Sequence, residues 1–315
     1  GLMLVFRALE VGGQTLMPSF TFSASAHAVA WNGSEPRFTE CDPDTFQMDV
    51  DDGVERAKDV DAVLATHVFG APCNIDALVE AAQRFDVPLV FDAAHAFGAR
   101  LGGRPVAQFG TASIFSMTPT KPLVAGEGGL VATSDSDLAH RVRIGRDYGN
   151  PGNYDTQFVG LNGRMSEMHA ATALASLDTF TEQQRTRDDI ALRYRNALRS
   201  VPGIRVQHIP EADTSTFKDL TIAISPGEFG VDRDTLRVAL HAEGVDTRCY
   251  FDPPVHRQTA YSAVASGPLP VTERVAGEVL SLPIYPDLSL HAVDRIVDLI
   301  ATVHDFADEV RDRPS

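Results

Sequence analysis

Short, nearly continuous apolar runs alternate along the chain with stretches in which apolar positions recur every three or four residues. QTLMP (14–18), DAVLATHVF (61–69), VPLVFD (87–92), TASIFSM (111–117) and GLVAT (129–133) have the length and apolarity of buried strands. SASAHAVAWNG (23–33) and IDALVEAAQRF (75–85) read as the helices between them. At the start, Leu2, Val5, Phe6 and Leu9 share one helical face in a segment closing at Gly12 and Gly13. It reads as the middle of a helix, so a further segment is expected upstream of position 1. Strands interleaved with helices predict an α/β fold with a mainly parallel sheet between helices.

From 165 to about 198 the pattern is helical, and small residues dominate the first half, as in a helix packed closely on another surface. After VPGI (201–204) the composition shifts. A strand at 220–225, a helix at 232–244 and a last helix from Leu290 predict a smaller C-terminal α+β domain. The boundary is expected near 185, giving a large domain at 1–185 and a small one at 186–315.

Composition narrows the function. The net charge of −16 comes without a lysine/arginine cluster, which speaks against nucleic acid as a partner. No apolar run reaches the roughly 18–20 residues of a membrane span, so no membrane is expected. Cys41, Cys73 and Cys249 lie far apart with no C-x-x-C, so neither a disulfide framework nor a zinc ribbon is indicated, and a reducing cytoplasm is the expected compartment. The ten histidines show no metal-ligand spacing, and no metal is expected.

Among 27 basic residues only Lys58, Lys121 and Lys218 are lysines. Lys121 stands between Pro119 and Pro122 and just before a Gly-Glu-Gly-Gly run, where the backbone is stiff and can approach a ligand closely. A lysine that does covalent chemistry needs such a held stem; a surface lysine on a tight loop fits the same residues. The surroundings of Lys58 and Lys218 are unremarkable. Asp92 ends a strand, where ligands of open α/β sheets gather, and it would equally cap a helix. Ser116 ends another strand, with a hydroxyl that could hold a phosphate oxygen.

VFDAAHAFGA (90–99), FSMTPTKPLVAGEGGLVAT (115–133) and GLNGRMSEMHAA (160–171), in this order and spacing, resemble the DegT/DnrJ/EryC1/StrS family of pyridoxal-phosphate (PLP) sugar aminotransferases. HVFGAPCNIDAL (67–78) and GVDTRCYFDPPVHRQTAY (244–261) extend the resemblance over essentially the whole chain. It implies the type I PLP-transferase fold of aspartate aminotransferase. It implies that Lys121 carries the Schiff base to PLP, which an arginine could not form. Asp92 would pair with the pyridine nitrogen, His95 would sit beside the ring hydroxyl, Phe22 would stack on the ring and Ser116 would bind the phosphate. Arg164 or Asn162 would meet the phosphate in a neighbouring subunit, which would make the active unit a homodimer with shared sites. Arg248, Tyr250 and His256 would border the sugar-nucleotide entrance.

The implied reaction is amination of a nucleotide-linked keto-sugar, with L-glutamate as amino donor. Amination of a keto-inositol and a non-catalytic regulatory or binding role are the alternatives. In the dehydratase branch of the fold a histidine replaces the lysine, and Lys121 argues against it. Two departures stand out: the family's phosphate-binding Ser-Gly-Thr segment would lie upstream of position 1, and Pro122 replaces the usual asparagine after Pro-Thr-Lys.

Overall fold

The computed structural model describes residues 1–56, 59–264 and 266–311, so Lys58 lies outside the described residues. The first part of the chain runs α1 (Leu2–Ala8), β1 (Gln14–Pro18), α2 (Ser23–Trp31), β2 (Glu35–Thr39), α3 (Val50–Arg56), β3 (Ala62–Thr66), α4 (Ile75–Phe85) and β4 (Leu89–Asp92). The short pair β5 (Arg100–Leu101) and β6 (Arg104–Pro105) follows, then β7 (Ala112–Ser116), β8 (Gly129–Ala132), α5 (Ser136–Gly145) and the long α6 (Glu167–Leu198).

One sheet, ordered β2-β1-β3-β4-β7-β8, organises these elements. All neighbours in it are parallel except β8, which returns antiparallel to β7. Both faces are covered, which is why β3 and β4 are buried at every position and mostly apolar. Along β4, Leu89 and Phe91 join Ile75 and Leu78 of α4, while Val90 joins Val5, Phe6 and Val29 of α1 and α2 on the other face. Each fully buried aliphatic or aromatic side chain of this kind contributes about 1.5–3 kcal/mol. α4 coincides with its predicted span: Asn74 caps it by accepting from the Ala77 N–H, and Asp86 closes it in the left-handed region at φ 55°. β2 escaped the periodicity because it is an edge strand, EPRFT, whose Pro36 lacks the N–H that a central strand would need.

The remainder comprises β9 (Ile204–Val206), β10 (Leu220–Ile224), α7 (Pro226–Phe229), α8 (Arg233–Ala242), α9 (Pro270–Glu278), β11 (Val279–Leu282), α10 (Leu290–Asp305) and α11 (Ala307–Arg311). A three-stranded antiparallel sheet, β11-β10-β9, packs Ile222 and Leu280 against Leu236 of α8 and Val293 and Ile300 of α10. α6 spans position 185 without a break. Its Ala173 and Phe180 pack on Met117, Leu123 and Ala125, whereas Ile190, Tyr194 and Leu198 belong to the C-terminal core. One helix thus enters both cores, and no linker marks the passage between them.

Candidate active site

The carboxyl ends of β3, β4 and β7 bring Thr66, Asp92 and Ser116 to one rim of the sheet, and a cavity of about 670 Å³ opens there. Phe22, His95, Ser116, Lys121, Lys218 and Tyr250 are among the residues that line it with Asp92.

Asp92 is 6% exposed and held from two sides. Ser25 Oγ donates to Oδ2 at 2.6 Å, and the Ala94 N–H donates to Oδ1 at 3.0 Å. Behind Ser25, the Thr21 hydroxyl lies 3.1 Å from Ser25 Oγ and 3.0 Å from Thr66 Oγ1. A carboxylate fixed by a hydroxyl and a backbone N–H keeps its orientation beside the cavity.

Lys121 comes from the loop joining β7 to β8. Its N–H donates to the Thr118 carbonyl at 3.0 Å, the Ala125 N–H to Met117 O at 2.8 Å and the Met117 N–H to Gly128 O at 3.0 Å. Ser176 of α6 accepts from the Val124 N–H at 3.1 Å and ties the loop to that helix. Gly128 sits at φ 144°, where a side chain would be strained, and a Cβ there would also displace the Met165 side chain, whose Cε lies 2.5 Å away. The Lys121 amine is held below the ordinary lysine value, first by burial and then by the Lys218 cation, while Asp92 and Asp219 act in the opposite sense. The amine therefore gives up its proton more readily than a surface lysine does.

His95 follows Asp92 in the same turn, with Nδ1 3.6 Å from Asp219 Oδ2. Burial, Lys121 and Lys218 hold its imidazole well below the usual histidine value, so it is neutral at pH 7. Phe22 is 60% exposed although it lines the cavity, which sets it apart from a core phenylalanine.

Other expected site residues lie elsewhere. Asn162 forms an isolated bridge with Asp147, and Arg164 Nη1 binds Asp147 Oδ1 at 2.7 Å with its guanidinium 5.1 Å from the Tyr148 ring centre. Neither lines this chain's own cavity. Arg248 is exposed, exchanges backbone hydrogen bonds with Ser281 and stays outside the cavity lining. His256 is also outside it. His256 is buried, with Nδ1 2.6 Å from Ser19 Oγ and Nε2 3.2 Å from Glu273 Oε1, so it pins β1's exit to α9. Of the three entrance candidates, Tyr250 alone lines the cavity.

Two cavity residues carried no sequence signal of their own. Lys218 lines the cavity with Lys121, 97 positions away in sequence (218 − 121), and only the fold reveals the pairing. His67 is buried, is stacked on Phe91 at 4.9 Å and accepts the Cys73 N–H at 3.1 Å. No group of three or more His, Cys, Asp or Glu side chains among the described residues could hold a metal ion. No helix among them is long and apolar enough to cross a membrane.

A family model described as the DegT/DnrJ/EryC1/StrS aminotransferase family matches residues 1–301. The chain is 33% identical over 312 residues to the UDP-N-acetyl-3-dehydro-alpha-D-glucosamine 3-aminotransferase of Acidithiobacillus ferrooxidans, covering 96% of this chain and 82% of that protein. It is 36% identical over 321 residues to the dTDP-3-amino-3,4,6-trideoxy-alpha-D-glucose transaminase of Streptomyces venezuelae, covering 98% and 81%. Among solved structures, DesI in the presence of its TDP-sugar product superposes with a TM-score of 0.93 at 36% identity, over 99% of this chain and 81% of that one.

Proposed function

The chain belongs to the DegT/DnrJ/EryC1/StrS aminotransferase family, and from that premise we propose that it moves an amino group from L-glutamate to the keto carbon of a nucleotide-linked sugar. The activity is that of a PLP-dependent sugar aminotransferase. The observation that carries the reading to this chain's own residues is the meeting of Asp92 and Lys121 in one cavity.

The donor set fits the cofactor: a fixed carboxylate, a lysine of lowered proton affinity, a strand-end hydroxyl and an exposed aromatic ring share one cavity. Once bound, PLP supplies an electron sink for the carbanion that transamination creates. Asp92 would hold a proton on the ring nitrogen, and Ser25 and the Ala94 N–H keep its two oxygens in place. Lys121 would hold the cofactor through Nζ, and its amine, of lowered proton affinity, would serve as the acid and base of the proton transfer. His95 would stand beside the ring hydroxyl, Ser116 would bind the phosphate and Phe22 would cover the ring.

The working unit is a homodimer with shared sites. Asn162 and Arg164 do not line their own cavity and serve the partner's. Met168 and Leu174 on the first half of α6 are 82% and 65% exposed, an apolar surface suited to a second copy. The cytoplasm is the proposed compartment, in keeping with three free cysteines.

Borohydride reduction of the PLP-loaded protein, followed by peptide mass spectrometry, tests the centre of this reading. The adduct is expected on Lys121; an adduct on Lys58 or Lys218 alone overturns it. A panel of 3-keto and 4-keto nucleotide sugars, with keto-inositol alongside and glutamate as donor, then identifies the acceptor. For the shared site, inactive Lys121→Ala and inactive Arg164→Ala chains are mixed. Partial recovery of activity is expected, and none is expected if each chain completes its own site.

A further inference from the structure

Lys218 reaches the cavity from the C-terminal part of the chain on a segment strapped to the loops after β3 and β4. The Thr216 N–H donates to Gly70 O at 3.1 Å and Thr216 Oγ1 to His95 O at 2.6 Å. From α6, Gln184 Nε2 donates to Thr216 O at 3.2 Å. The C-terminal part contributes Lys218, Tyr250 and Phe251 to the cavity lining, and Lys218 is the charged one. Its side chain is 12% exposed, and Nζ lies 2.8 Å from Asp219 Oδ1. That contact uses one of three ammonium donors, and no other hydrogen bond of Nζ occurs among the described residues.

The charges around it make the arrangement unusual. Lys121 and Lys218 share the cavity and repel, and both act on His95. Asp219 faces Lys218 and also interacts with Arg187, whose guanidinium donates to Ile284 O at 3.1 Å. An ammonium held at 12% exposure on the wall of a cavity is complemented when a ligand brings an anion.

Resting on the reading that the cavity is an aminotransferase site, we propose that Lys218 is the anchor for the carboxylate that the amino donor bears on its reacting carbon. Donor and sugar occupy the cavity in turn. The sugar's diphosphate hangs from the anomeric carbon, with the hexose ring between it and the carbon being aminated. The donor's carboxylate is bonded directly to the carbon that reacts at Lys121. Lys218 lines the same cavity as Lys121 and is joined through Asp219 to His95, in the turn that begins at Asp92, so it stands at the Asp92 end of the cavity, which is the carboxylate's end. Asp219 takes one of the ammonium's donors and leaves the others for the ligand. The site then selects α-amino acids over simple amines.

The test uses full-length, PLP-loaded protein and the variants Lys218→Met, Lys218→Gln and Lys218→Arg. Each half-reaction is followed separately by absorbance in single turnovers: the donor giving up its amino group, then the keto-sugar receiving it. Loss of a charge-assisted hydrogen bond should raise the glutamate concentration for half-maximal rate by about tenfold or more in the Met and Gln variants. The sugar half-reaction should stay within about twofold, and Arg should restore most of the loss. Calorimetric titration with glutarate, a dicarboxylate that cannot react, should show the same loss of affinity. If the Met variant fails to fold or to load, the Gln variant decides. Equal losses in both half-reactions, a loss confined to the sugar half, or unchanged glutarate binding would each overturn the proposal. Failure of wild-type protein to accept an amino group from any α-amino acid would instead overturn the underlying function.

Discussion

Asp92 separates capping from chemistry within a single side chain. Its two oxygens accept from Ser25 and from the Ala94 N–H, and an asparagine can keep one of these bonds. Asp92→Asn is therefore expected to lower stability by only about 1 kcal/mol. It cannot hold a proton on a ring nitrogen, so turnover should fall by orders of magnitude while the protein stays folded and loaded. Urea unfolding beside steady-state rates checks both halves; near-normal turnover would return Asp92 to a cap. His67 makes a second prediction at this scale. Burial pushes its imidazole down to about 3, far below the usual 6.5. The unfolded chain takes up that proton first as the pH falls. Its contribution is thus complete above pH 6.5 and lost progressively from there toward pH 3, on the order of a few kcal/mol. Unfolding free energies across this range should fall less steeply in His67→Gln than in wild type.

Gly70 shows how an element depends on one missing side chain. It ends the turn after β3 at φ 93°, where a Cβ would strike Thr216 Oγ1 and come 3.0 Å from the His95 carbonyl. Gly70→Ala combines backbone strain with displacement of the strap that carries Lys218. A loss of about 2 kcal/mol or more is expected, together with weakened glutamate binding. Thermal unfolding and glutamate titration of the loaded variant measure the two effects. A change in stability with donor binding intact would show that the strap does not position Lys218. The start of α9 is organised similarly from a distance: Glu40 of the β2 exit accepts the Val271 and Thr272 N–H groups at 3.0 and 2.7 Å. Glu40→Ala leaves the buried Thr272 N–H and the half-buried Val271 N–H without their acceptor and is expected to lower stability by about 2–4 kcal/mol in urea unfolding.

Across the whole molecule, the exposed apolar residues of α6 and the outward placement of Asn162 and Arg164 bear on one question, whether a site is complete in one chain. Leu174→Asp puts a charge on that surface without touching either core. If the proposed dimer forms through this surface, sedimentation should show monomer in its place, and activity should fall with it because the residues proposed to cross between subunits are withdrawn. A variant monomer with full activity would assign the surface some other role.

The sequence by itself determined the architecture of the sheet region and the residues at its rim. Strands buried on both faces are apolar throughout, and helices between them show a 3.6-residue period, so local composition carries the information. α4 was legible to its ends because Asn74 and Asp86 punctuate it. Asp92, Ser116 and Lys121 were legible because each ends a strand or stands in a loop of unusual composition. Edge strands such as β2, and β11, which follows α9 with no turn between, lack those signals. Only the tertiary structure decided which distant residues share the cavity. Lys218 lies in an ordinary stretch of sequence, and its meeting with Lys121 depends on Thr216 bonding to Gly70 and His95. His256, close in sequence to Tyr250, is carried away from the cavity by its bonds to Ser19 and Glu273. Contacts between remote segments follow from packing and hydrogen-bond satisfaction across the fold, and no periodicity along the chain encodes them.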